Sequence, residues 1–423
     1  MSKPHVLVLG GNFAGLGAAQ KIREYALDRV SITVVDRKPH LLYIPNIGSE
    51  VLANRDPGVS MQMPIIEVLR KDDIDFVQAE VEALDVVAKT VTVLPCERPG
   101  STRETMHYDY LVIALGARLA YDKIEGFAQF GHTVSDCYYG NALRKHLHDG
   151  GYRGGPVAVG SARFIQGRKG RPTWLPDTVA ACEGPPVETA LSLAAWMVDN
   201  GFKGASNITL FTPAEMIAED AGKNNVVALL DAASKMGFKY RNNLQDIRRL
   251  TADGIEFANG ETIEAELKII FPNWEPHAFL QGLPISDEVG FVLTDMRMRN
   301  PEFPNVYACG DCAAITVPKL GAIGHQECDV VGRQIAKELG AMSAANADAD
   351  WLPEVLCIGD MGNKKAFYIH ANSWFGGDVE VLKMGHMPYM LKQTYKEMFF
   401  RSGGKTPAWG VPVAEWLAER IAV

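Results

Sequence analysis

Apolar residues fall into short continuous runs alternating with helical stretches from the first residues onward. Residues 5–9 (His-Val-Leu-Val-Leu) form an unbroken run of the kind that makes a strand buried on both faces. Residues 16–22 follow with helical character, and between them stand Gly10, Gly11, Asn12, Phe13, Ala14 and Gly15. Strand, tight turn and helix in that order predict a unit in which a dinucleotide pyrophosphate settles on the helix N-terminus, held by backbone N–H groups and the helix dipole. A second apolar run at 31–35 ends in Asp36, followed by Arg37, where a ribose-binding carboxylate belongs. Asn12 occupies the place usually held by the middle glycine, and is expected to tolerate the positive φ that such a turn can require.

Two later runs have the same strand-into-turn form. Residues 108–117 run Tyr-Asp-Tyr-Leu-Val-Ile-Ala-Leu-Gly-Ala, with Ala114 and Gly116 in the turn, and residues 305–311 end in Gly310 and Asp311 before another helix. Both resemble signatures of two-dinucleotide-domain flavoproteins, in which the later Gly-Asp contacts the ribitol of FAD. The resemblance implies an α/β protein with two Rossmann-like domains in the glutathione-reductase arrangement. Residues 1–117 and 285–350 would bind FAD, 118–284 would form a second Rossmann-like domain, and 351–423 would add a C-terminal region with amphipathic helices.

The second domain departs from a nucleotide-binding plan. Its first strand, at 156–159, is expected to end at Gly160, but no helix follows until about Pro186. The interposed stretch carries Arg163, Arg168, Lys169, Arg171, Trp174 and Cys182. A nicotinamide dinucleotide needs a compact glycine loop leading straight into its helix. The next strand, at 207–211, ends at Thr212 and not at an acid. The nicotinamide site is therefore expected to be degenerate, and NADH is not the expected donor.

Cys182 opens the run CEGPPVE and Cys357 opens CIGDMG, while Cys137 closes HTVSDC and residues 318–321 read Pro-Lys-Leu-Gly. Together these resemble the sulfide:quinone oxidoreductase family over the whole plan of the chain. The resemblance implies that Cys182 and Cys357 hold a disulfide or polysulfide bridge on one flavin face. It also implies that Glu188, six residues after Cys182, relays protons, that Cys137 lies near the flavin and can bond to it, and that Lys319 stabilises charge on the reduced ring. Sulfide would attack Cys182, and Cys357 would be the flavin's partner. Histidines found near the sulfide path in some members are missing: Asn141 stands four residues after Cys137, and no histidine occurs between His148 and His277. Residues 41–46 contain no cysteine to tether FAD. Two related activities remain as alternatives, a type II NADH:quinone dehydrogenase and a sulfide dehydrogenase donating to a cytochrome. Of the other cysteines, Cys96 and Cys328 read as small buried hydrophobes, and Cys309 and Cys312 as packing residues around Gly310-Asp311.

Composition narrows the partners. A formal net charge of -9 over 423 residues argues against nucleic acid, and 47% hydrophobic with 22% charged residues describes an ordinary globular chain. Seven cysteines do not make a disulfide scaffold. No metal site is expected, no signal segment is expected from the residues ahead of the first strand, and no apolar run is long enough to cross a bilayer. Near the C-terminus, residues 388–400 place Leu391, Tyr395, Met398 and Phe399 on one helical face and Lys392, Gln393, Lys396 and Glu397 on another. A further helix is expected from Pro412, with Val413, Trp416, Leu417 and Ile421 apolar. Such helices can lie in a membrane interface, and can equally form a homo-oligomer contact. With sulfide as donor and a membrane quinone as acceptor, Tyr389, Tyr395, Phe399 and Phe400 are the expected quinone-pocket residues. The protein is expected at the cell membrane, peripherally and on the cytoplasmic face.

Overall fold

The computed structural model describes residues 3–96 and 100–405. Its largest sheet has seven strands in the order Val306–Ala308, Tyr110–Ile113, His5–Leu9, Ser31–Asp36, Asp75–Asp85, Thr90–Pro95 and Glu104–His107. The first five run parallel, and the last two close it as an antiparallel meander. Parallel strands bury both faces, which is why residues 6–9 and 111–113 are continuously apolar and fully buried.

A second sheet is all parallel, in the order Gly131–His132, Leu267–Phe271, Val157–Ser161, Ile208–Phe211 and Lys239–Arg241. The protein is thus α/β with two dinucleotide-binding-type sheets. After Ser161 the chain runs without regular structure until the helix Gly184–Asp199. A third, antiparallel sheet of Val355–Gly362, Lys365–Ala371 and Glu380–Gly385 leads into the helix His386–Ser402.

Two close approaches hold these parts together. The helix Phe13–Ala26 lies along Gly321–Glu338, and a Cβ on Gly332 would stand 2.7 Å from the Cβ of Lys21. The helix Gly184–Asp199 packs on the strand Val355–Gly362, where a Cβ on Gly362 would come within 2.2 Å of the Ala195 Cβ. That packing brings the two cysteine-bearing segments side by side.

Three expectations are corrected. Asn12 is extended, with φ of -88°, so it needs no left-handed tolerance; Gly10, at φ +104°, takes the turn instead. Lys392 is 4% exposed and lies on the buried side of its helix with Pro388 and Phe399, because an acid awaits it across the helix contact. Cys96 is exposed, not buried, since it follows the end of the strand Thr90–Pro95. The expected helix from Pro412, with Val413, Trp416, Leu417 and Ile421, lies outside the described residues. Among the described residues, no helix is long and apolar enough to cross a membrane.

Candidate flavin and cysteine site

The glycine loop is built by contact. A Cβ on Gly10 would sit 2.2 Å from the Ala114 carbonyl oxygen, and one on Gly15 would sit 1.8 Å from that of Gly10. Only bare backbone lets the first strand, its helix and the strand Tyr110–Ile113 meet this closely. No side chain caps the helix Phe13–Ala26 and no acid stands in its first turn, so the N–H groups of Phe13, Ala14 and Gly15 face an anion's position. The buried Asn12 Oδ1 has no hydrogen-bond partner there. Asp36 accepts from the Gly11 N–H (2.6 Å) and the Lys38 N–H (2.8 Å), and its carboxylate retains lone pairs for a ribose hydroxyl. Arg37 is exposed and pairs with Glu80 at 3.6 Å. Gly116, at φ +67°, has open space where its Cβ would be.

Gly310 (φ +72°) touches the same helix, since its Cβ would stand 2.6 Å from the Ala14 Cβ. Its N–H donates to Glu327 Oε2 at 2.6 Å, and the Thr316 hydroxyl donates to Glu327 Oε1 at 2.5 Å. Burial pushes the Glu327 carboxyl up to about 8. The neighbouring Asp311 carboxyl is pushed up to about 6, also by burial, and Lys319 opposes the shift. These residues suit an FAD: an uncapped helix end for the pyrophosphate, a carboxylate for the ribose, and Asp311 at the far strand end for the ribitol.

Lys319 is no surface lysine. It is 2% exposed, its Nζ donates to the Ala313 carbonyl at 2.8 Å, and it lies 4.1 Å from the centre of the Phe291 ring. Burial lowers its pKa to about 8 while Asp311 and Cys312 hold it up. Its backbone N–H donates to the Ala181 carbonyl at 2.7 Å, which ties the 318–321 run to the residue before Cys182.

Cys182 and Cys357 approach each other across Gly184. A Cβ there would meet the Cys357 Sγ at 3.1 Å, and both thiols are free and partly accessible. Burial raises the Cys182 thiol well above its usual range; Asp220 and then Cys357 add to the shift. Burial likewise pushes Cys357 up to about 12, with Glu188 raising it and Lys392 lowering it. Glu188 forms an ion pair with Lys392. Burial drives its carboxyl up, and Lys392 and the Asp360 N–H pull it down, with burial prevailing. Asp360 in turn accepts from the Gly362 N–H at 2.7 Å and the Ser49 hydroxyl at 3.1 Å.

Cys137 begins the helix Cys137–His148, whose first turn is capped by Asp136. Its thiol is raised to about 11 by burial, and the charges acting on it are Asp136, Lys38 and Asp56. None of these is shared with the other two cysteines. Phe399 (2% exposed) stands in an aromatic cluster, with ring centres 5.2 Å from Phe13, 5.3 Å from Tyr43 and 6.2 Å from Tyr395. Phe400 meets Tyr43 at 5.5 Å. Tyr389 instead lines a polar cleft of about 310 Å³ with Ser49, Glu50, Arg55, Asp360 and Gln393. Tyr43, His325 and Glu183 carried no role in the sequence reading. His325 stacks edge-on to Phe13 at 5.6 Å, and Glu183 is buried beside Cys182. Only its place next to a motif cysteine could have flagged Glu183.

Comparison with known proteins agrees with this architecture. An NADH dehydrogenase-like protein of Mycobacterium tuberculosis is 25% identical over 380 residues, covering 86% of this chain and 87% of its own. The sulfide-quinone reductase of Aquifex aeolicus is 23% identical over 439 residues, covering 97% and 94%. The crystal structure of the sulfide:quinone oxidoreductase from Aquifex aeolicus superposes with a TM-score of 0.81 at 21% identity, over 99% of this chain and 96% of that one. The resemblance drawn from the cysteine motifs therefore stands. Residues 4–328 match the family model described as pyridine nucleotide-disulphide oxidoreductase, and the chain belongs to that family of oxidoreductases.

Proposed function

We propose that the protein oxidises sulfide to polysulfide or sulfur at Cys182 and Cys357 and delivers the electrons through FAD to a membrane quinone. The observation that carries this reading is the convergence of Cys182 and Cys357 at Gly184. They meet at the end of the loop that replaces the glycine turn of the second sheet. Residues 1–117 and 285–350 would bind the FAD, 118–284 would form the degenerate second domain, and 351–423 would face the quinone and the membrane surface. FAD, when bound, supplies the two-electron acceptor and passes the pair on. Phe13, Ala14 and Gly15 would hold its pyrophosphate, Asp36 its ribose and Asp311 its ribitol.

The remaining chemistry belongs to the chain. Sulfide sulfur attacks Cys182, the Cys182–Cys357 bond breaks, and the electron pair leaves on Cys357. Both thiols are raised, so an unpaired thiolate is costly here and re-forming the sulfur–sulfur bond is favoured. Glu188, held by Lys392 and open towards Asp360, carries protons between Cys357 and the polar cleft. Tyr395, Phe399 and Phe400 with Tyr43 offer apolar ring faces for a quinone. Tyr389 serves the cleft rather than that ring cluster.

A type II NADH:quinone dehydrogenase is the second reading, favoured by the Mycobacterium tuberculosis relative's name. Against it stands the second strand of the smaller sheet, which ends at Thr212 with no acid for a ribose. Anaerobic mixing separates the two. Sulfide is expected to bleach the flavin and a short-chain quinone to restore it. Bleaching by NADH and none by sulfide would overturn the proposal.

A further inference from the structure

We propose that the chain just past the C-terminal helix, residues 403–405, is a hook that sets the quinone-facing rings, and that Gln20 is the positioning residue that holds it. This rests on the quinone-reducing reading above and assigns a residue to its second half, the passage of electrons out of the flavin.

The helix His386–Ser402 is fastened at two places. Its cysteine side packs on the strands Val355–Gly362 and Lys365–Ala371, and there Lys392 pairs with Glu188. Its far end carries Phe399 and Phe400 and is fastened separately. Gly403 and Gly404 take left-handed φ of +69° and +86°. The Gly403 N–H donates to the Phe400 carbonyl at 3.3 Å and the Gly404 N–H to the Phe399 carbonyl at 2.8 Å, which ends the helix and turns the chain inward. Both glycines are buried. A Cβ on Gly404 would stand 2.8 Å from Leu16 Cδ2 and 3.5 Å from Phe399 Cζ, and one on Gly403 would stand 2.9 Å from Val68 Cγ1. The turn therefore needs glycine for its backbone angles and for its approach.

The surface that receives it is one face of the helix Phe13–Ala26. Phe13, Leu16 and Gln20 follow one another at spacings of three and four, so they line up along that face. Phe13 meets the Phe399 ring at 5.2 Å, Leu16 meets the Gly404 position, and Gln20 Nε2 donates to the Gly403 carbonyl at 2.9 Å. Asp72 closes the far side. Its Oδ1 accepts from Lys405 Nζ at 2.7 Å, and its Oδ2 lies 3.4 Å from Gln20 Nε2. The Ser402 hydroxyl donates to the Lys405 carbonyl at 2.7 Å. Lys405 is 53% exposed, so its ion pair contributes little. Gln20 is 7% exposed, and the carbonyl it serves is buried; without its amide that carbonyl loses this donor away from water, which is the costly case. Phe399 and Phe400 stand one helical turn before the hook. Releasing the hook lets them leave Phe13 and Tyr43, while the Glu188–Lys392 pair still holds the cysteine side.

The test reads flavin absorbance in two half-reactions of the holoenzyme. One is anaerobic bleaching by sulfide. The other is reoxidation of dithionite-reduced flavin by a short-chain benzoquinone, with ferricyanide as an oxidant that needs no ring pocket. In Gln20→Met, which keeps the length of the side chain and loses its amide, the quinone concentration for half-maximal rate is expected to rise about tenfold, the measure of one buried hydrogen bond. Bleaching by sulfide and reoxidation by ferricyanide should stay within about twofold of wild type, as befits a residue that touches neither the cysteines nor the flavin's electron exit directly. Gly404→Ala, which presses a methyl onto Leu16 from the opposite side of the same contact, should show the same split. In a Phe399→Ala background the effect of Gln20→Met on the quinone should vanish, since the hook then has no ring to place. An unchanged quinone dependence in Gln20→Met would overturn the assignment, and so would effects that add in the double variant. Equal losses with sulfide, quinone and ferricyanide, or failure of both Gln20→Met and Gly404→Ala to retain flavin, would show that the hook serves the fold and not the quinone. If the benzoquinone does not reoxidise the wild-type flavin, the parent reading fails instead.

Discussion

Glu188 and Lys392 show how little a single residue's type says about its setting. Glu188 could be singled out because it follows a motif cysteine by six residues, in the first turns of the helix that begins just after it. Lys392 could not, since its burial depends on a partner 204 residues away, and its helix alone offers it a plausible outward face. Breaking a buried pair is costly because the survivor keeps its charge without a partner, typically about 3–5 kcal/mol. Lys392→Met is therefore expected to lower the unfolding free energy from urea titration by that order and to strand Glu188. Glu188→Gln combined with Lys392→Met should recover most of the loss, since neither charge remains. Equal instability of the single and double variants would mean that Lys392 acts through packing and not through charge.

At the scale of an element, the glycine loop was legible and the C-terminal helix only half so. The loop's glycines are demanded by backbone contacts within about thirty residues and one neighbouring strand, a local constraint that sequence records well. Asn12 misled because its substitution for glycine suggested a left-handed turn, whereas Gly10 already supplies it. The helix His386–Ser402 shows an amphipathic pattern that fits a membrane, a partner or its own sheet alike, and it buries Lys392 and Phe399 against the chain. The loop's rigidity yields a graded prediction. Gly15→Ala must displace a carbonyl 1.8 Å away, and Gly310→Ala a methyl at 2.6 Å, whereas Gly116→Ala meets open space and only the strain of φ +67°. Flavin retained after gel filtration, read as the ratio of flavin to protein absorbance, should fall steeply for Gly15→Ala, less for Gly310→Ala and least for Gly116→Ala. Equal retention in all three would show that the loop does not hold the cofactor.

Across the whole molecule, the fold was legible because two parallel sheets impose continuous apolar runs at regular intervals, while the internal electrostatics were not. Buried titratable groups depend on which strands and helices close over them, and here they tie the protein's stability to pH from both directions. His132 and His325 are lowered to about 4 by burial, against about 6.5 when unfolded. The unfolded chain therefore binds more protons between those values, and stability falls as pH drops through that window. Glu327 has the opposite sign. Its carboxyl is about 8 when folded and 4.5 by type, so the folded chain holds the extra proton, and stability falls as pH rises from about 4.5 to about 8. Each pKa unit is worth about 1.4 kcal/mol, which makes the limit for Glu327 a few kcal/mol. Glu327→Gln keeps an acceptor for the Gly310 N–H, reverses the Thr316 bond so that its amide donates to the hydroxyl oxygen, and has no proton to lose. Its urea midpoint relative to wild type should therefore improve steadily from pH 5 to pH 8, and a constant offset across that range would show that Glu327 is already ionised in the folded protein.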